Sequence, residues 1–151
     1  MTKKYALITG STAGIGLDIA RELASRGHNI LLTARREDRL KDIAGQLTLD
    51  FGVHADYIVA DLSESSAPGT IFNFCDTNQY AVNILVNNAG YSINKKFHET
   101  GEEEEEKFLR VLGTSVVALT KRFIPGMLKQ QSGKIMLVSS LAAFAPPATG
   151  W

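Results

Sequence analysis

Along the 151-residue chain, short apolar runs rich in β-branched residues alternate with stretches whose apolar positions recur every three or four residues. The first pattern suits buried strands and the second amphipathic helices. "YALIT" (5–9), "ILLTA" (30–34), "ADYIVA" (55–60), "NILVN" (83–87) and "KIMLV" (134–138) predict five strands. A helix after the first strand is expected to turn Ile15, Ile19 and Leu23 inward and to end near Gly27. "REDRLKDIAGQL" (36–47) predicts a helix with Leu40, Ile43 and Leu47 inward. Residues 65–78 predict another, with Ile71 and Phe74 or Cys75 inward. Thr100 and Glu103 have capping-box spacing and predict a long helix through Leu128. Such alternation specifies βαβ units, hence an α/β protein with a parallel sheet. No linker or repeat interrupts it, so residues 1–151 read as one domain.

Composition narrows the function classes. The length suits one core that buries roughly 70% of the unfolded surface. Lys and Arg number 16, as do Asp and Glu, so no overall charge points to nucleic acid or to an anionic membrane. Cys75 is the only cysteine and reads as a small buried thiol. Without a disulfide framework a cytoplasmic location is expected. "MTKKYALITG" is too short in apolar residues for a signal peptide, and no run reaches the roughly 18 apolar residues of a membrane span. The run "EEEEE" (102–106) reads as a solvated first helical turn, where acids favour the positive end of the helix dipole. His28, His54 and His98 are scattered and read as structural or exposed.

The strongest chemical feature is "TGSTAGIG", Thr9 to Gly16, between a buried strand and a helix. Gly10, Gly14 and Gly16 permit a tight turn and let a pyrophosphate approach the backbone at a helix N-terminus. The turn lacks the lysine of a P-loop, which argues against an ATPase or GTPase. "ADLS" (60–63) and "NNAG" (87–90) follow the third and fourth strands, and Ser139 and Ser140 follow the fifth. These are the carboxyl ends of strands, where an open α/β sheet presents its ligand crevice.

In this order "TGSTAGIG", "ADL", "NNAG" and "VSS" (138–140) resemble the short-chain dehydrogenase/reductase family, across essentially the whole chain. The resemblance implies a Rossmann-type, doubly wound parallel sheet binding a nicotinamide cofactor, here stopping after its fifth strand. It implies that Thr12, Ile15 and Gly16 border the pyrophosphate, with Gly10, Ser11 and Gly14 completing the turn. By the same resemblance Asp61 and Leu62 flank the adenine, and Asn88, Ala89 and Gly90 the adjoining ribose. At the end of the second strand an acid would bind the ribose hydroxyls of NAD, whereas a base accommodates the phosphate of NADP. This chain has Arg35 and Arg36 there, so NADP(H) is expected over NAD(H), with Arg35 as the first contact and Arg36 as its helper.

The family interconverts a carbonyl and an alcohol on a small-molecule substrate, and its members are often homo-oligomers. Its working residues are a Ser, a Tyr, a Lys and an Asn. The resemblance assigns the Ser to Ser140. The Asn position falls on Leu112, and no Asn occurs between Thr100 and Leu128. The Tyr is expected about a dozen residues beyond Ser140, past Trp151, while Tyr5, Tyr57, Tyr80 and Tyr91 lie in other motifs. The expected product is therefore an incomplete dinucleotide-binding domain, inactive alone by the family mechanism. A non-catalytic nucleotide-binding module and a protein-interaction module are the alternatives.

Overall fold

The computed structural model describes residues 3–144. Five strands form one parallel sheet in the order β3-β2-β1-β4-β5: β1 Lys4–Thr9, β2 Asn29–Ala34, β3 Ala55–Val59, β4 Ala81–Asn87 and β5 Lys134–Leu137. The helices are α1 Gly14–Ser25, α2 Glu37–Phe51, α3 Ala67–Thr77, α4 Glu102–Leu109 and α5 Ser115–Lys129. The expected α/β fold is therefore present.

Strand periodicity divides the core. Tyr5 and Leu7 of β1 point to the face covered by α3 and α5, where they meet Ile71, Leu119 and Phe123. Ala6 and Ile8 point to the face covered by α1 and α2, where they meet Ala20, Leu40, Ile43 and Leu47. With both faces covered, β1, β2 and β4 are near-continuous apolar runs. The chain builds outward from β1 to β3, then returns to place β4 on the other side of β1. This reversal opens a crevice at the carboxyl ends of β1 and β4.

The inward face of α1 differs from the expected one. Gly16, Ala20 and Ala24 are buried, Ile19 and Leu23 only half-buried, and Ile15 is 60% exposed. Small side chains bring this helix close to the sheet, so the largest apolar residues do not mark its contact face. The second helix continues past Leu47 to Phe51 and ends at Gly52, which adopts a left-handed conformation. On α3 both Ile71 and Cys75 are buried, with Phe74 packed beside them, and burial pushes the Cys75 thiol up to about 12.

The capping box expected at Thr100 does not form. The N-cap of α4 is Gly101, and the Thr100 hydroxyl instead donates to Phe97 O and pairs with the Glu105 carboxylate. The long helix runs from Glu102 to Lys129 through a π-turn at Arg110–Thr114. It is long and apolar enough by length and composition to cross a membrane, a property not expected from the sequence. Phe108, Val111, Leu119, Phe123 and Met127 along it are buried. At the other side of the sheet's centre, β5 is the edge strand among the described residues, and its Ile135, Met136 and Leu137 are all exposed.

A polar aromatic cluster closes the amino-terminal end of the sheet. The rings of Tyr5 and Tyr80 stack at 4.1 Å; the Tyr5 hydroxyl lies 3.0 Å from His54 Nδ1, and the Tyr80 hydroxyl donates to Asp56 Oδ2 at 2.8 Å. Burial, joined by the Asp56 carboxylate, raises the pKa of both phenols. The folded state thus holds these protons more tightly than the unfolded chain. That contribution is intact below pH ~10 and is lost as the pH rises through the folded-state values. Urea midpoints should fall above pH ~10, and Tyr80→Phe should lower neutral stability by about 1 kcal/mol while flattening the alkaline fall. An unchanged alkaline slope in Tyr80→Phe would exclude Tyr80 as its source.

Candidate dinucleotide site

The crevice is organised by one hydroxyl at the end of β1. Thr9 is buried, and its Oγ1 accepts the N–H groups of Asn88 at 2.9 Å and Ala89 at 3.0 Å while donating to Val86 O at 3.4 Å. A threonine hydroxyl offers one donor and two acceptor positions, so all are used. The Asn88 side chain returns the link by donating Nδ2 to Thr9 O at 3.0 Å and Gly10 O at 3.2 Å. The "NNAG" loop and the glycine turn are thereby fixed to each other.

Two glycines make this approach possible. Gly10 has φ +66°, and a Cβ there would lie 2.8 Å from the Ala89 Cα. A Cβ on Gly16 would lie 2.5 Å from Gly10 O. The first residue of α1 follows Ala13, which provides no side-chain cap, and the first turn carries no acid. Its free N–H groups and dipole thus form an anion-binding end.

From the turn extends a cleft of about 610 Å³. Gly10, Thr12, Arg35 and Arg36 line one side, and Asp61, Leu62, Ala89 and Gly90 line the rest with their neighbours. Arg36 Nη2 donates to Thr12 Oγ1 at 3.1 Å, while Arg35 Nη1 lies 3.9 Å from Asp61 Oδ2. Desolvation opposes ionisation of Asp61. Hydrogen bonds from Ser63, with its N–H 2.9 Å from Oδ1, and the charges of Arg35 and Lys107 outweigh it and hold the carboxyl below the usual range. Lys107 reaches the cleft from α4, bonded to Glu103 at 2.6 Å. Thr33 also lines the cleft and has a buried Oγ1 without a protein partner.

Eight of the expected site residues therefore share one cleft. Five others support or flank it without being in its lining. Ser11 is fully buried, with its hydroxyl donating to Thr33 O at 3.4 Å. Asn88 braces the turn, Gly14 and Gly16 lie in the first turn of α1, and Ile15 points outward. Ser140 lies apart. It is exposed at the end of β5, where its Oγ accepts the Ala142 N–H at 3.1 Å and caps a short 3-10 turn. Leu112 lies in the π-turn, and one of its methyl groups approaches Gly90 so closely that a Cβ there would lie 3.0 Å from it.

The sequence reading missed several lining residues. Tyr91, whose ring stands edge-on to Phe108 at 5.4 Å, directly follows "NNAG", and Ser63 closes "ADLS", so both were within reach of it. Lys107 and Val111 come from a helix in which nothing local marks them.

A family model described as short chain dehydrogenase matches residues 4–150. The chain belongs to the short-chain dehydrogenase/reductase family. The 3-oxoacyl-(acyl-carrier-protein) reductase of Aquifex aeolicus is 36% identical over 145 residues, covering 93% of this chain and 57% of that protein. The very-long-chain 3-oxoacyl-CoA reductase of Anas platyrhynchos is 33% identical, covering 94% and 46%. Among solved short-chain dehydrogenase/reductase structures, L-sorbose reductase from Gluconobacter frateurii, complexed with NADPH and L-sorbose, superposes with a TM-score of 0.93 at 32% identity, covering 99% of this chain and 57% of that one. The chain spans about half the length of the curated relatives it matches.

Proposed function

We propose that residues 1–151 form one dinucleotide-binding unit for NADP(H), belonging to an oxidoreductase that interconverts a carbonyl and an alcohol on a small molecule. The observation that carries the reading is the uncapped glycine turn at the mouth of a cleft whose second-strand end bears Arg35 and Arg36. The residues suit such a ligand. The α1 N-terminus offers free N–H groups, and Arg35 and Arg36 bring guanidinium donors to the cleft it opens on. In this reading Gly10, Ser11, Thr12, Gly14, Ile15 and Gly16 surround the pyrophosphate, Asp61 and Leu62 hold the adenine, and Asn88 to Gly90 border the ribose. Such a cofactor supplies a hydride to a carbonyl carbon or accepts one from an alcohol. Ser140 is assigned the hydrogen bond to the substrate oxygen. A homo-oligomeric, cytoplasmic full-length protein completes the reading. NADPH-bound relatives support the cofactor assignment.

Titration of the folded chain with NADPH and NADH, followed by nucleotide fluorescence, tests it. Saturable binding with NADPH at least about tenfold tighter is expected, since each charge-assisted contact to phosphate is worth about 1.5–3 kcal/mol. No saturable binding to either would sink the reading, and equal affinities would remove its preference for NADP(H).

Leu112 favours a second reading, a dinucleotide-binding module without catalysis, because a leucine cannot hold a relay water. A folded protein that binds NADPH yet never changes its absorbance near 340 nm with carbonyl compounds would be that module.

A further inference from the structure

The two arginines at the end of β2 do not stand in equivalent places. Arg36 is the N-cap residue of α2, and its guanidinium crosses to the glycine turn, where Nη2 donates to Thr12 Oγ1 at 3.1 Å. Thr12 is only 8% exposed, so the atom that receives this bond is itself held by the fold. The Arg35 side chain is 74% exposed and lies 3.9 Å from the Asp61 carboxylate, its one ion-pair partner among the described residues. A cation shared with a carboxylate is less available to an incoming anion. The contact to Thr12 uses one of five guanidinium N–H donors and leaves a fork free for two phosphate oxygens. The threonine also keeps its own hydroxyl hydrogen, which is free to point at the same anion.

We infer that Thr12 is a positioning residue for cofactor discrimination: by holding Arg36 over the glycine turn, it makes Arg36, rather than Arg35, the principal contact for a ribose 2′-phosphate. The inference rests on the NADP(H) reading above and reverses the order of the two arginines expected from sequence. Its physical basis is preorganisation. A guanidinium already held at the turn loses less side-chain freedom when the phosphate arrives than one extended into solvent.

The test compares 2′,5′-ADP with AMP by calorimetry on the full 151-residue chain, with Thr12→Val, Thr12→Ser, Arg36→Met and Arg35→Met. These probes share the adenosine and differ by the 2′-phosphate. Thr12→Val is expected to weaken 2′,5′-ADP by about three- to tenfold more than it weakens AMP, and Thr12→Ser should keep the preference. Arg36→Met should cost more of the preference than Arg35→Met. Equal weakening of both probes by Thr12→Val would reveal a merely structural role and overturn the inference. So would a larger loss from Arg35→Met, a comparison on two exposed side chains that decides the matter even if Thr12→Val does not fold. A wild-type chain that binds the two probes equally would overturn both this inference and the NADP(H) preference. A wild-type preference left untouched by Thr12→Val and Arg36→Met would overturn this inference alone.

Discussion

Gly10→Ala is expected to destabilise the fold by about 3 kcal/mol or more and to abolish dinucleotide binding. Two independent costs meet at this position. The backbone has φ +66°, a left-handed conformation that costs an ordinary residue about 1–2 kcal/mol. The added methyl would also lie 2.8 Å from the Ala89 Cα, and that neighbour is backbone, not a side chain that can rotate away. Relief requires the turn and the "NNAG" loop to separate, which would break the hydrogen bonds from Asn88 to Thr9 and Gly10. Urea unfolding gives the stability and an NADPH titration gives the binding. A variant within about 0.5 kcal/mol of wild type would show that the close approach is not needed.

Thr9→Val is expected to be nearly as severe, for the opposite reason. The valine has the shape of threonine but no hydroxyl, so the buried packing stays while the N–H groups of Asn88 and Ala89 lose their acceptor. Each stranded donor costs about 1–3 kcal/mol, which places the total for the two at about 2–6 kcal/mol. Thr9→Ser keeps the hydroxyl and should recover most of that loss. Amide exchange at Asn88 and Ala89 offers a local readout, expected to accelerate in the valine variant ahead of the rest of β4. Unchanged protection at these two amides would show that other acceptors replace Thr9.

The central strands β1, β2 and β4 were legible in the sequence because each is an apolar run buried on both faces, and the outer strands β3 and β5 because they too are short apolar runs. The face of α1 was not. Periodicity weights large apolar residues, and so selected Ile15, Ile19 and Leu23, whereas close packing on the sheet selects Gly16, Ala20 and Ala24. Helix ends were partly legible. Gly52 stops α2 four residues later than the pattern suggested, and Thr100 spends its hydroxyl on Phe97 and Glu105 instead of capping α4. The π-turn at Arg110–Thr114 leaves no mark in the hydrophobic pattern, because it shifts register by a fraction of a turn.

The site was legible where backbone constraint dictates residue type. Gly10, Asn88 and Ala89 meet because their motifs tolerate little else at that contact. Side-chain direction was not legible. Adjacent arginines look alike in sequence, yet one reaches Thr12 and the other Asp61. Ser140 follows its strand as expected, but its hydroxyl serves a local turn and the cleft lining does not include it.

The exposed edge at β5 has a practical consequence for every measurement described above. Its outer backbone groups, flanked by Ile135, Met136 and Leu137, form a template to which another extended segment can bond. Particle size should therefore grow with protein concentration, and apparent affinities measured at high loading would mix ligand uptake with assembly. Dilute protein with the nucleotide in excess separates the two processes.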